Sequence, residues 1–250
     1  MIKLKTQQEI LIMQEGGQRL KTVVQKLLPK IEPGITTQDI NRLAERLIIA
    51  QGGDSSFNKV TNYNWSTCLP INEQIVHTPP SDRVVKGGDV LTLDIGFYWQ
   101  GFHTDFATTF IVGDKKDKET EAFLQLGRET LAAAIREVKD GQYLGRVSKT
   151  IQEHIEGNGL FVVDELTGHG IGRALHEDPY VPGVLNIKIT DTYKMRPGLV
   201  IAVEVIYAKG TRRMVFEKGS KWSIKTADGS LSACFEHTVA ITDKNTIVLT

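Results

Sequence analysis

Leu91-Thr92-Leu93-Asp94-Ile95-Gly96-Phe97-Tyr98-Trp99-Gln100-Gly101-Phe102-His103-Thr104-Asp105-Phe106-Ala107-Thr108-Thr109 decides how this 250-residue chain is read. β-Branched and aromatic residues fill both arms and Gly101 marks a turn, so the stretch reads as a β-hairpin. A turn centred between Trp99 and Gln100 sets Asp94 opposite Asp105. Opposed residues of an antiparallel pair have Cβ atoms about 4.5–5.5 Å apart on one face of the sheet. Carboxylates so placed repel, and either one is protonated or a cation lies between them. Converging oxygen donors favour a metal. A turn placed elsewhere would leave both aspartates solvated.

Upstream, Ile10, Met13, Gly17, Leu20, Val24 and Leu27 recur at helical steps, and Thr6 with Glu9 forms a capping box, which predicts a helix from about Thr6 to Leu28. Thr36 or Thr37 caps a second helix through Ile49, with Ile40, Leu43 and Leu47 on one face. Asp54 to Pro80 is irregular, with short strands between Thr67 and His77 broken at Pro70. The same order returns after the hairpin. Lys118 to Val138 reads as a helix, Asp140-Gly141 as a turn, Val147, Ile151 and Ile155 as the stripe of another helix, and Phe161-Val162-Val163 as a strand. Gly88 stands six residues before Asp94, and Gly198 six before Glu204, each carboxylate inside an apolar strand. The pattern predicts an α+β fold: a single domain over 1–250 with an internal repeat at roughly 6–110 and 117–240, and two halves sharing one sheet. A site where the halves meet draws a carboxylate strand from each.

The 30 basic residues balance the 30 acidic ones, so there is no electrostatic footprint for nucleic acid or a membrane surface. No apolar run suits a membrane span, and Met1-Ile2-Lys3-Leu4-Lys5-Thr6 does not read as a signal peptide. Cys68 and Cys234 lack zinc-site spacing and are expected as reduced thiols in the cytoplasm. Lys209, Arg212, Arg213, Lys218 and Lys221 read as a solvated hairpin tip, with ribosome contact as the functional alternative.

Glu204 lies among apolar residues from Leu199 to Tyr207, so it is paired, protonated or on a metal. Glu236 lies within Leu231 to Ala240, where alternation puts Cys234, Glu236 and Thr238 on one face. His169 sits between Gly168 and Gly170, His176 before Glu177-Asp178-Pro179, and His77 before Thr78-Pro79-Pro80. Three of six histidines in Gly- or Pro-marked loops beside carboxylate strands point to a site.

The order Asp94, Asp105, His169, Glu204, Glu236, with His77 and His176 beside it, resembles the methionine aminopeptidases and their wider pita-bread relatives, among them prolidases and creatinase. The motifs that carry the resemblance are Asp94-Ile95-Gly96 with Gly101-Phe102-His103-Thr104-Asp105, Gly168-His169-Gly170-Ile171-Gly172 with His176-Glu177-Asp178-Pro179, and Ser230-Leu231-Ser232-Ala233 before Glu236-His237-Thr238. They span essentially the whole chain, whose compact length is similar to the short bacterial type I form. The resemblance implies the pita-bread fold, two pseudo-symmetric α/β halves around a central antiparallel sheet. It implies two divalent ions (Mn, Fe, Co or Zn), with Asp105 and Glu236 bridging them, Asp94 completing one, and His169 with Glu204 completing the other. It implies a metal-bridging hydroxide that attacks the first peptide bond and removes N-terminal methionine from nascent proteins, with Glu204 as proton shuttle. His176 would stabilise the tetrahedral intermediate, His77 would contact the scissile amide, and Tyr63, Cys68, Leu175 and Trp222 would line the side-chain pocket. A monomer acting on new chain ends is expected.

The sequence also departs from the family pattern. His77-Thr78-Pro79-Pro80 stands where His-Gly-Ile-Pro is usual, Leu175 and Val60 stand at or near aromatic positions, and Val205 stands where proline is common. Proline-directed cleavage by the same fold and a non-catalytic peptide-binding module are the competing readings. Retention of all five ligand residues disfavours the module and a metal-free creatinase-like hydrolase.

Overall fold

A computed structural model describes residues 2–114 and 117–250. The chain opens with two helices, α1 (Gln7–Leu27) and α2 (Thr37–Ala50). The Thr6–Glu9 capping box starts α1, and the Thr36 side chain accepts from the Asp39 N–H at the start of α2. Three short strands follow: β1 (Asp54–Ser55), β2 (Thr67–Cys68) and β3 (Gln74–Val76). The hairpin is β4 (Val90–Trp99) and β5 (Phe102–Ile111). Two more helices, α3 (Lys118–Arg136) and α4 (Gly145–Glu156), lead to β6 (Phe161–Val162), β7 (Thr167–Gly170) and β8 (Glu177–Pro182). The chain ends through β9 (Val200–Ala208), β10 (Met214–Phe216), β11 (Ile224–Thr226), β12 (Ser232–Ile241) and β13 (Thr246–Val248).

One antiparallel sheet runs β1-β4-β5-β12-β9-β7-β8, and a smaller one runs β10-β11-β3. Strand alternation divides the large sheet into a packed face and a functional face. On β4, Leu91, Leu93, Ile95 and Phe97 pack against Leu20, Val23, Leu27, Ile40 and Ile48 of α1 and α2. On β9 and β12, Val203, Val205, Tyr207, Phe235 and Val239 pack with Leu131, Val147 and Ile151 of α3 and α4. The helices thus cover one face, and the intervening residues Asp94, Glu204 and Glu236 turn to the other.

The hairpin turn lies one residue later than the sequence pattern places it. Trp99 pairs with Phe102, so Gln100 and Gly101 form the turn, at φ 46° and 91°. A two-residue turn with both φ positive matches the right-handed twist of the strands. Asp94 is therefore opposite Ala107, and Asp105 opposite Gly96. The correction moves each partner by two residues, which preserves the face. The aspartates are diagonal neighbours rather than directly opposed.

The basic stretch is partly paired. Lys209 Nζ pairs with Glu119 at 3.0 Å, and Arg212 bridges Glu156 at 3.0 Å and Asp164 at 3.2 Å. Two of its five cations are thus paired with acids of α3, α4 and the segment after β6, while Arg213, Lys218 and Lys221 stand exposed.

Asn41 on α2 fixes the segment that leads into β2. Its buried Oδ1 accepts from Ser66 N, Thr67 N and Thr67 Oγ1 at 2.9–3.1 Å. Asn41→Ala strands these donors, and the expected loss is about 2–3 kcal/mol, or very roughly 5–10 °C in Tm. An unchanged melting curve would show that the three bonds contribute nothing net.

Candidate active site

Two adjacent rows of residues cross the functional face. The first runs Asp94 on β4, Ala107 on β5, Glu236 on β12 and Glu204 on β9, each paired with the next. The second runs Gly96, Asp105, Thr238, Ala202 and His169, the last on β7. Thr238 joins the middle of that row: its Oγ1 accepts from Asp105 N at 2.8 Å and donates to Asp105 O at 2.9 Å. Glycines set the far end. A Cβ on Gly168 would lie 2.4 Å from Ala202 O, and one on Gly170 would lie 2.1 Å from Asp178 O. Only glycine lets β7 approach this closely and deliver His169 to the rows.

Four carboxylates and an imidazole therefore converge. Asp105, His169 and Glu236 are buried, with one donor atom from each lying within 4.8 Å of the others. Burial pushes the Asp94, Glu204 and Glu236 carboxyls well above the usual range, and their neighbouring carboxylates push them further. Burial raises Asp105 to about 7. Burial lowers His169 to about 3, which keeps its imidazole neutral. Burial also raises the Cys68 and Cys234 thiols, so both free cysteines stay protonated.

These residues fit a divalent cation. Among the described residues, Glu236 Oε1 is buried with no hydrogen-bond partner. His169 Nδ1 lies 2.8 Å from Gly170 O, a contact that assigns the proton to Nδ1. Its Nε2 lone pair then faces Glu204 Oε1 at 3.5 Å. A lone pair aimed at a carboxylate is repulsive unless a proton or a metal lies between them. Oxygen donors with one imidazole suit Mn, Fe, Co or Zn.

The cluster forms the floor of a small cavity, about 120 Å³. All of the expected site residues line it: the five candidate ligands, His77, His176, Tyr63, Cys68, Leu175 and Trp222. Tyr63 organises its apolar side. Its hydroxyl donates to Thr67 O at 2.9 Å and lies 3.0 Å from Cys68 Sγ, while Phe57, Trp65 and Trp222 meet its ring edge to face. Phe57 and Val76 also line the cavity and carried no sequence signal, since each lies in a three-residue element too short for periodicity.

His77 and His176 stand exposed at the rim. His77 is held at φ 56°, a conformation costly for a non-glycine residue and concentrated at functional sites. The next residue explains its retention: Thr78 is buried, its Oγ1 lies 2.8 Å from Ser223 Oγ, and its carbonyl accepts from Leu69 N at 2.9 Å. Thr78 is thus an anchor rather than a disruption of the rim. The His176 ring packs edge to face on His169, with centroids 4.4 Å apart.

Buried carboxylates lining a pocket with a neutral imidazole define a metallohydrolase site. Residues 12–243 match the family described as Metallopeptidase family M24, and the chain belongs to that family. Methionine aminopeptidase 1 of Bacillus subtilis is 37% identical over 252 residues, covering 100% of this chain and 99% of that protein. The crystal structure of a methionine aminopeptidase from Thermotoga maritima superposes at TM-score 0.95 and 35% identity, with 100% and 99% of the two chains covered. A prolidase from Pyrococcus furiosus, 21% identical, shares the fold at TM-score 0.78 over 99% of this chain and 65% of its own. The fold is the pita-bread architecture, α+β with a central antiparallel sheet. Among the described residues no helix is long and apolar enough to cross a membrane.

Metal uptake must displace protons from this cluster. With Asp105 at about 7 and its neighbours raised, the chelated folded chain holds protons that the unfolded chain has released above about pH 5. Its stability is therefore expected to fall as pH rises through 7. Calorimetric titration with Mn at pH 7 in two buffers of different ionisation enthalpy is expected to show proton release, with tighter binding at pH 8 than at pH 6. Release of no protons at pH 7 would contradict the raised carboxyls.

Proposed function

We propose that the chain is a metal-dependent aminopeptidase that removes N-terminal methionine from new proteins. The observation that carries the reading is the pocket itself: the carboxylate–His169 cluster lies at the floor of a cavity sized for one side chain. The methionine aminopeptidases similar over the full chain length support the substrate class.

Asp105 and Glu236 would bridge two ions, Asp94 would complete one, and His169 with Glu204 the other. Bound divalent ions supply Lewis acidity, which lowers the pKa of water and polarises a carbonyl. The chain's own residues do the rest. The aromatic box around Tyr63, with Cys68, Val60 and Leu175, takes an unbranched thioether side chain and excludes water from the cluster. With the first side chain seated, the first peptide bond lies at the rim, between His77 and His176. His176 donates a hydrogen bond to the carbonyl oxygen as it gains charge. His77 contacts the scissile nitrogen. Glu204, next to His169 and the cluster, carries a proton from the attacking water to the leaving amine. A free α-amine pairs with the carboxylate-rich floor, which selects chain ends over internal bonds.

The reading extends to a monomer in the cytoplasm whose single domain arose by duplication of an α-α-strand unit. The order α1, α2, β4–β5 against α3, α4, β9–β12 supports that origin. Ribosome contact through Arg213, Lys218 and Lys221 fits an enzyme that meets new chains, and co-sedimentation of a charge-neutralised variant tests it. Proline-directed cleavage is the second reading; the prolidase likeness extends only to the fold.

The decisive assay is turnover of Met-Ala-Ser against Ala-Pro-Ala after chelation and re-addition of Mn, Fe, Co or Zn separately. Metal-restored release of methionine from the first peptide alone is expected. Cleavage of the proline peptide instead would overturn the specificity, and no cleavage of either would remove the enzymatic reading. Asp105→Ala or Glu236→Ala is expected to lose activity and metal together. His176→Ala is expected to lower kcat about 10²–10³-fold with metal content intact, as for loss of one oxyanion donor. Wild-type turnover in that variant would end the assignment of His176.

A further inference from the structure

A buried ion pair ties the N-terminal arm to the loop that carries His176. Lys5 Nζ lies 2.7 Å from Glu177 Oε2, and the two side chains are 1% and 4% exposed. The other Glu177 oxygen, Oε1, accepts from Ala174 N at 3.0 Å, so one carboxylate closes the turn around Leu175 and His176. The near end of that loop is fixed as well: Gly172 N donates to Ala174 O at 3.1 Å, and Gly172 O accepts from His103 N at 2.7 Å. The lysine fills the space beneath it, because a Cβ on Gly172 would lie 2.2 Å from Lys5 Cε. Lys5 is itself held from the opposite side, its N–H donating to Gly198 O at 2.7 Å just ahead of β9 and Glu204. Arg173 pairs with Glu9 of α1, a second tie between the start of the chain and the loop.

A buried pair of this kind is a costly way to gain stability, since desolvation offsets much of the attraction. A lysine stem wedged under a glycine, with its ammonium on the residue next to His176, instead fixes where that histidine stands. We propose that Lys5 is a positioning residue for peptide hydrolysis. Through Glu177 it sets the 172–177 loop so that His176 packs on His169 over the cavity. The proposal rests on the reading of His176 as the group that meets the scissile carbonyl.

The test compares wild type, Lys5→Met and Lys5→Met/Glu177→Gln in the full chain. The double variant removes both charges, and so it remains informative if the single variant, left with an unpaired buried carboxylate, fails to fold. In each folded variant kcat for Met-Ala-Ser is expected to fall at least tenfold, with KM and Mn stoichiometry within twofold of wild type. The imidazole ¹⁵N signals of His176 are expected to move, and those of His154 on α4 to stay. Wild-type kcat with unmoved His176 signals would overturn the proposal. So would a loss confined to KM or to Mn binding, which would make Lys5 a general structural prop. A wild-type enzyme inactive on Met-Ala-Ser would instead fault the functional reading, and the His176 signals would still report on the Lys5 contact.

Discussion

Carboxylates that share one buried face of a sheet set the terms for this structure. Asp94, Asp105, Glu204 and Glu236 lie in adjacent rows, where low dielectric strengthens their mutual repulsion and burial denies them water. Such a cluster persists when protons or cations lie within it. The rest of the fold serves that condition. Helices α1 to α4 cover the opposite face, so strand alternation drives the carboxylates inward. Thr238 locks the Asp105 backbone, and glycines let β7 close in with His169. Glu236 Oε1, without a hydrogen-bond partner among the described residues, and the His169 lone pair facing Glu204 mark where a cation would fit.

The apolar half of the cavity is built on a different principle. Tyr63 is buried with its hydroxyl satisfied, and three aromatic neighbours meet it edge-on, which makes a stiff wall without long side chains to order. Leu175 lines the loop side, and Phe57 and Trp222 enclose the rest of the pocket. A pocket of this type discriminates among apolar side chains by only about 1–3 kcal/mol per methylene. On the proposed function, selection of a chain end would depend on the charged floor and the rim histidines more than on the wall.

Much of this was legible in the sequence, and the exceptions have physical causes. The capping box at Thr6, the apolar stripes of all four helices and the isolated Glu204 were plain, because amphipathic periodicity and an unpaired charge among apolar residues are local signals. The hairpin face was legible and its turn was not. Trp99, Gln100 and Gly101 all tolerate a turn, and the choice depends on strand twist. Face assignment survived because a two-residue shift restores the alternation. Phe57 and Val76 were silent, since short elements carry no period. The ion pairs of Lys209 and Arg212 were also silent, because their partners lie far away along the chain. Lys5 gave no hint beyond a basic residue before a helix cap, for its partner is 172 positions downstream.

On the proposed function, the carboxylate–His169 cluster holds two divalent ions at the pocket floor. Mn EPR on the chelated chain, titrated from zero to three equivalents, tests it most directly. Two equivalents bound with a spin-coupled signal are expected in wild type, with loss of that coupling in Glu236→Ala. A wild-type chain that leaves all of the Mn free, or a Glu236→Ala variant that still gives the coupled pair, would contradict it.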